Sequence, residues 1–313
     1  MIRDTNRATE RAMRRMILPT NLCKRITTKL YMKKASFIIS LALLAACSND
    51  NQKAAEIYAQ AEQYYQSGDY KNASIWIDSI EGSYPKAFDV IRNGMILRCK
   101  VNQKSYEHEL LVTDSLYNAA QNELDALKSQ FDLTRESEYQ TERNYIYKKQ
   151  RPSQTVSQSE LRAQVTEKGE FRLISIYHGN SNINHTGIRI ELPDGSYSES
   201  ATIGFDGAKN YRYADGGKYT EMVTYNLKQC KSVVDMIAGS GESKLKVRYT
   251  GGKNYVLSLD RNRQQAIAET YRLSQMLALA DSLSKRREYG IKQLELADTQ
   301  LQKLEQQSES LNK

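Results

Sequence analysis

Two stretches of heptad-spaced apolar residues, one on each side of a strand-rich middle, limit what this chain can fold into. In the first, Leu110, Tyr117, Ala120, Leu124, Leu127 and Phe131 fall on a and d positions, with Thr113 their polar member. That spacing keeps one apolar edge of a helix turned toward a partner along its length. No proline interrupts the run from Lys104 to about Lys149, so a long helix is expected over 103–150. In the second stretch, Leu273, Met276, Ala280, Leu283, Leu294, Ala297, Leu301, Leu304 and Leu311 share a register that breaks at Arg287, Gly290 and Ser308. Another long helix is expected over 261–313, with Ile291 beside the break and a kink or skip at Gly290. Leu110–Tyr147 and Leu273–Ser310 have equal lengths, about 55 Å at 1.5 Å per residue. Equal seams joined through a compact insert predict an antiparallel coiled-coil hairpin. Two helices packing separately on the globular parts, or pairing between two chains, would satisfy the same pattern.

Residues 151–167 read as a loop or linker, polar in RPSQTVSQ, and 168–260 change character. Phe171, Leu173, Ile174, Ile176 and Tyr177 make a strand-like run. Ile188, Ile190 and Leu192 alternate, and Pro193-Asp194-Gly195-Ser196 supplies turn chemistry before a strand from Tyr197 to Ile203. Further strands fit Glu221–Tyr225, Leu245–Tyr249 and Tyr255–Leu259, the last two closed into a hairpin by Gly251-Gly252-Lys253-Asn254. Lys228–Ala238 reads as one helix with Val233, Val234 and Ile237 turned inward. The expected fold class is α+β: helices flanking a small antiparallel β-rich module.

Near the start, Met32 to Cys47 reads MKKASFIISLALLAAC. Two lysines precede an apolar run of ten residues, Ala35–Leu44, and Leu44-Ala45-Ala46 leads into Cys47. This is the anatomy of a secretory signal over 32–46, too short for the about 20 apolar residues that span a bilayer. L-A-A-C resembles the lipobox of bacterial lipoproteins. The resemblance implies cleavage before Cys47, a diacylglyceryl group on its thiol, and a fatty acyl chain such as palmitate on its new amine. Residues 1–31 precede a signal complete without them and read as an upstream extension of the frame; a long basic leader or DNA-binding arm is the competing reading.

The charge supports this division. Ten of the 45 basic residues and two of the 37 acidic ones lie before Cys47, leaving 35 of each in the 267 residues from Cys47 onward. A nucleic-acid binder needs a basic surplus, so nucleic acid is excluded as a partner. Cys99 and Cys230 remain in a compartment where disulfides persist; they either pair or stay as two buried thiols.

After a short polar tether at 47–53, residues 54–102 read as a helical region. Two amphipathic segments flank Ser67-Gly68-Asp69, with Gly68 suited to ending the first. The stretch 54–87 resembles one tetratricopeptide repeat, a helix–turn–helix unit of about 34 residues. Ala61 and Tyr64 match its first helix, Gly68 and Tyr70 its turn, Ala73, Ile77 and Ile80 its second helix, and Pro85 its terminal proline; Gln60 departs from the pattern. A degenerate second copy would begin near Phe88. Such repeats present a concave surface to proteins, although a single hairpin can equally pack on the next helix.

No nucleophile elbow, phosphate loop or cofactor motif is present, so no catalytic residue and no cofactor is assigned. His178 and His185 flank a Gly-Asn-Ser-Asn loop and, with Asp206, form the weak alternative of a metal site. Tyr211 and Tyr213, in the loop-like NYRYADGG, are the candidates for ligand contact, on the pattern of exposed aromatic platforms. The whole chain from Cys47 loosely resembles uncharacterised lipoproteins of Bacteroidetes-type bacteria. The expectation is a non-catalytic interaction or scaffold lipoprotein. It would sit in the cell envelope, at the outer membrane, tethered by lipid and holding an envelope protein partner. The alternative is glycan or small-ligand binding through the β-rich module.

Overall fold

The computed structural model describes residues 46–135, 140–150 and 156–311. The leader through residue 45, with Leu44 and Ala45, and the side chains of Ala46 and Cys47 therefore lie outside what it describes. Residues Asp50–Lys313 form one compact unit. Among the described residues there are five helices and ten strands, and no helix is long and apolar enough to cross a membrane.

Helix α1 (Ala46–Gln66) includes the expected tether at 47–53, which is helical. Asn and Asp in SNDNQK weaken a helix only slightly, and the apolar face that follows carries the turn through them. Gly68 ends α1 with φ +79°. The Asp69 N–H reaches Tyr64 O at 2.9 Å, and the Gly68 N–H reaches Tyr65 O at 3.1 Å. That pair of bonds is the left-handed helix stop that glycine favours. Asp69 then caps α2 (Tyr70–Ser83), accepting from the Asn72 N–H at 3.1 Å. Ala61 and Ala73 are fully buried, so the helices approach closely; with Ile77, Leu97 and Val101 they form a core edged by Tyr58, Tyr64, Tyr70 and Trp76. Ile80 packs in a neighbouring cluster with Ala54 and Ala87, and Pro85 lies in the turn before α3.

Helix α3 (Phe88–Lys128) runs unbroken for 41 residues. The expected second repeat copy and the long arm are thus one element, and the expectation of helix over 103–150 is corrected at its far end. At Ser129 and Gln130 the bonds tighten onto Asp125, Ala126 and Leu127. Strands β1 (Phe131–Thr134) and β2 (Asn144–Tyr147) follow. Phe131 matches the heptad, but its ring sits edge-on to Tyr147 at 5.3 Å as a strand residue. Strand β3 (Glu160–Thr166) replaces much of the expected loop over 151–167. The β-rich module therefore begins near residue 131 and not at 168.

The remaining strands are β4 (Phe171–Gly179), β5 (His185–Glu191), β6 (Tyr197–Glu199), β7 (Asn210–Asp215), β8 (Lys218–Asn226), β9 (Leu245–Gly251) and β10 (Tyr255–Leu259). One antiparallel sheet has the order β1-β2-β3-β4-β8-β7 and the other β10-β9-β5-β6. They share a core: Leu161, Leu173, Val223 and Tyr225 from the first with Ile188, Ile190, Val247 and Tyr249 from the second. Helix α4 (Leu227–Gly239) closes it with Cys230, Val233, Val234 and Ile237, after a capping box between Asn226 and Gln229. Each fully buried aliphatic side chain contributes about 1.5–3 kcal/mol, so this shared core dominates the module's stability.

Helix α5 (Arg261–Leu311) packs its first turns on the module through Ala266, Ile267 and Tyr271, then runs antiparallel to α3. Leu273, Met276, Ala280 and Leu283 meet Ala120, Leu124 and Leu127. Ion pairs mark the register: Arg272–Glu123 at 2.6 Å, Arg287–Asp114 at 2.7 Å, Arg286–Glu109 at 2.8 Å and Lys100–Glu305 at 3.4 Å. Exposed pairs of this kind contribute less than about 1 kcal/mol each; the apolar seam holds the helices and the charges align them. The helix continues through Gly290, where a Cβ would lie 3.5 Å from Leu110 Cδ1, an ordinary contact.

Candidate functional site

Alternation along β4 and β8 turns Ser175, Glu221, Val223 and Tyr225 toward the second sheet, and the first residue of β5, His185, meets them there. His185 Nε2 lies 3.0 Å from Ser175 Oγ, and His185 Nδ1 lies 2.9 Å from Glu221 Oε2. Glu221 Oε2 also accepts the His185 backbone N–H at 2.8 Å. Its Oε1 accepts the N–H groups of Ile183 at 2.6 Å and Asn184 at 2.8 Å. Burial alone would push the Glu221 carboxyl up; the His185 ring and the three backbone N–H groups outweigh it and hold the group at about 2. The carboxylate is therefore ionised, Nδ1 carries a proton, and Ser175 occupies Nε2. Asn210 Nδ2 completes the cluster by donating to His185 O at 3.2 Å and Ile203 O at 2.7 Å.

The Ser–His–Glu order matches the geometry of acyl-transfer triads, yet Ser175, His185 and Glu221 are all fully buried. The cluster ties β4 and β8 of one sheet to β5 of the other and fixes the 183–185 backbone. Asn184 is held there at φ +54°, a left-handed conformation that asparagine tolerates.

That fixed backbone forms one wall of an open cleft of about 340 Å³, with Glu221 in its floor. Asn182 and Asn184 face Phe205, Arg212, Tyr213 and Tyr219 across it. The Arg212 guanidinium sits 5.2 Å over the Phe205 ring and donates to Asn184 Oδ1. Phe205, Tyr213 and Tyr219 are 63%, 45% and 40% exposed, so three aromatic rings meet solvent around amide and guanidinium groups. Such a surface suits binding of a ligand with flat apolar faces and hydroxyl or carbonyl edges.

Tyr211 and Tyr213 lie in strand β7 and not in a loop, stacked at 6.5 Å and 14°. Tyr213 reaches the cleft, while half-buried Tyr211 bonds to Met222 Sδ. The possible metal grouping is not assembled. His178 Nδ1 is 2.9 Å from Thr220 Oγ1, His185 is committed to Ser175 and Glu221, and Asp206 accepts from the Ala208 and Asn210 N–H groups at 2.9 Å each. No group of three metal-ligating side chains occurs among the described residues. Cys99 and Cys230 are free, buried thiols; burial pushes Cys230 up to about 12 and raises Cys99. The disulfide alternative is thereby corrected. Glu221 was detectable in the sequence as a charge in phase with inward Val223 and Tyr225, but its partners come from positions 36–46 residues away. A scan against protein-family models matches none of them, and no curated protein matches the chain significantly.

Proposed function

We propose that this protein is a lipid-anchored lipoprotein of the cell envelope that acts as a non-catalytic interaction scaffold. In this reading Cys47 carries the acyl chains, α1 and α2 form a tetratricopeptide-like base, α3 and α5 form an antiparallel coiled-coil arm, and the β-rich module is presented to a partner. Lipid on both thiol and amine suffices for stable anchoring. The observation that carries the scaffold reading is the helical surface, where Ile75, Phe88, Met95, Leu111, Val112, Tyr289 and Leu296 are all at least 47% exposed. In this reading a protein partner covers these side chains. Crosslinking and pulldown from membranes should recover one stoichiometric envelope protein, and Phe88→Asp with Leu111→Asp should release it. Recovery unchanged in that variant would refute the reading.

A second reading is favoured by the aromatic cleft at Phe205, Arg212 and Tyr213: glycan or small-ligand binding by the β-rich module. Glycan-array binding by wild type that disappears in Tyr213→Ala, with no protein partner recovered, would select it over the scaffold.

A further inference from the structure

The four-stranded sheet turns Ile188, Ile190, Val247 and Leu259 to the core, and its opposite face carries a second cavity of about 800 Å³. Strand register builds that face in rows. Ser258, Lys246, Glu191 and Tyr197 lie side by side across β10, β9, β5 and β6, and Val256, Arg248, Arg189 and Glu199 form the next row. The two carboxylates are satisfied within the face. Arg248 grips Glu191 with two bonds of 2.7 and 3.1 Å, and Arg189 bonds Glu199 at 2.7 Å while stacking 4.3 Å over Tyr197.

Lys244 and Lys246 line the same cavity, are exposed, and have no ion pair among the described residues. Lys246 is the second residue of β9 and Lys244 the residue just before the strand; both line the one cavity, so both ammonium groups can address one anion. Four cations against two anions give the face a net charge of +2, with Lys246 beside Glu191, in a chain that is neutral from Cys47 onward. Beside them, Tyr197 is 55% exposed, Leu192 and Pro193 edge the cavity, and the Ser258 hydroxyl faces it. A cavity of this size, partly apolar and with a few convergent polar groups, has the character of a small-ligand site.

We propose that this cleft binds an acidic sugar, with its carboxylate or phosphate held between Lys244 and Lys246 and a flat ring face against Tyr197 and Pro193. The inference does not depend on the scaffold reading or on the cleft at Phe205. Lysine offers a mobile point charge with three donors and does not discriminate carboxylate from phosphate by geometry, so both sources are tested. Calorimetric titration of the purified lipoprotein in detergent uses trigalacturonate, glucose 6-phosphate and neutral maltotriose. Saturable one-site binding of either acidic sugar is expected. Binding at least about tenfold weaker for maltotriose, for Lys244→Gln/Lys246→Gln and for Tyr197→Ala, and a fall with added salt, are also expected. Preference for trigalacturonate assigns a uronate ligand, and preference for glucose 6-phosphate a phosphosugar. Absence of binding by both at millimolar concentration, equal affinity for maltotriose, or unchanged affinity in the double lysine variant would overturn the proposal. These side chains are exposed, so the variants retain the wild-type circular dichroism spectrum and a loss of binding reads the site.

Discussion

Replacing Glu221 by glutamine tests the sealed cluster most sharply, because it keeps the shape and removes the charge. In the native protein four N–H groups converge on the carboxylate at 2.6–2.9 Å. A glutamine oxygen can keep the Ile183 and Asn184 bonds, but its NH₂ would face the His185 backbone N–H, a donor with no alternative partner. The His185 ring could shift its proton to Nε2 and donate to Ser175 Oγ, leaving Nδ1 to accept from the new amide. Losing one buried charge-assisted network costs about 3–5 kcal/mol. The proton linkage gives an independent figure: a carboxyl at about 2 in place of its ordinary 4.5 contributes about 3 kcal/mol, at 1.36 kcal/mol per unit. The sign follows from the depressed value. The contribution is complete above the unfolded carboxyl's 4.5 and is lost as pH falls from there through about 2. Thermal scans followed by circular dichroism should therefore show Glu221→Gln melting roughly 6–10 °C below wild type at pH 7. That gap should narrow progressively below pH 4.5. A loss under about 1 kcal/mol at pH 7, or a gap that stays constant down to pH 3, would refute the reasoning.

Gly68→Ala should destabilise the α1–α2 pair by about 1–2 kcal/mol, read by denaturant midpoint, because φ +79° opposes any Cβ even though the space is open. Gly290→Ala should do the reverse, gaining about 0.5–1 kcal/mol from helix propensity with an ordinary contact to Leu110; a loss would mean the pairing of α3 and α5 is tighter there than described. Alkylation at pH 8 with peptide mapping should leave Cys230 unmodified in the folded protein and label it fully in denaturant, since it is both fully buried and pushed up to about 12. Phe205→Ala and Tyr213→Ala should leave the melting temperature within about 1 °C of wild type, as surface substitutions do, so any lost ligand binding would be local to the cleft.

The sequence made long-range periodicity legible and local ambiguity opaque. The heptad register located the apolar side of α3 and α5, and alternation with turn chemistry located β4, β5, β9, β10 and the inward face of α4. Gly68 announced a helix end because only one backbone conformation explains it there. The same periodic reading failed at Phe131, where the last heptad position and the first strand residue are the same apolar side chain. It failed at Asn144–Tyr147, where a short NYIY segment carries too few residues to show a period. Strand β7 was missed because Tyr213, Ala214 and Asp215 are exposed at a sheet edge, so burial imposes no pattern. The Ser175–His185–Glu221 cluster was out of reach for a different reason: three polar residues on three strands become neighbours only once the sheets stack. Tyr213 was singled out as a candidate and lines a cleft, whereas Phe205 and Arg212, which share that cleft, carried no signal of their own.

The account rests on an acylated Cys47, and intact-mass measurement of the protein extracted from native membranes addresses that directly. The expected mass is that of the 267 residues beginning at Cys47 with lipid on both its sulfur and its nitrogen. A species that retains the preceding residues and carries an unmodified thiol at that position would contradict the anchor, the compartment and the scaffold built on them.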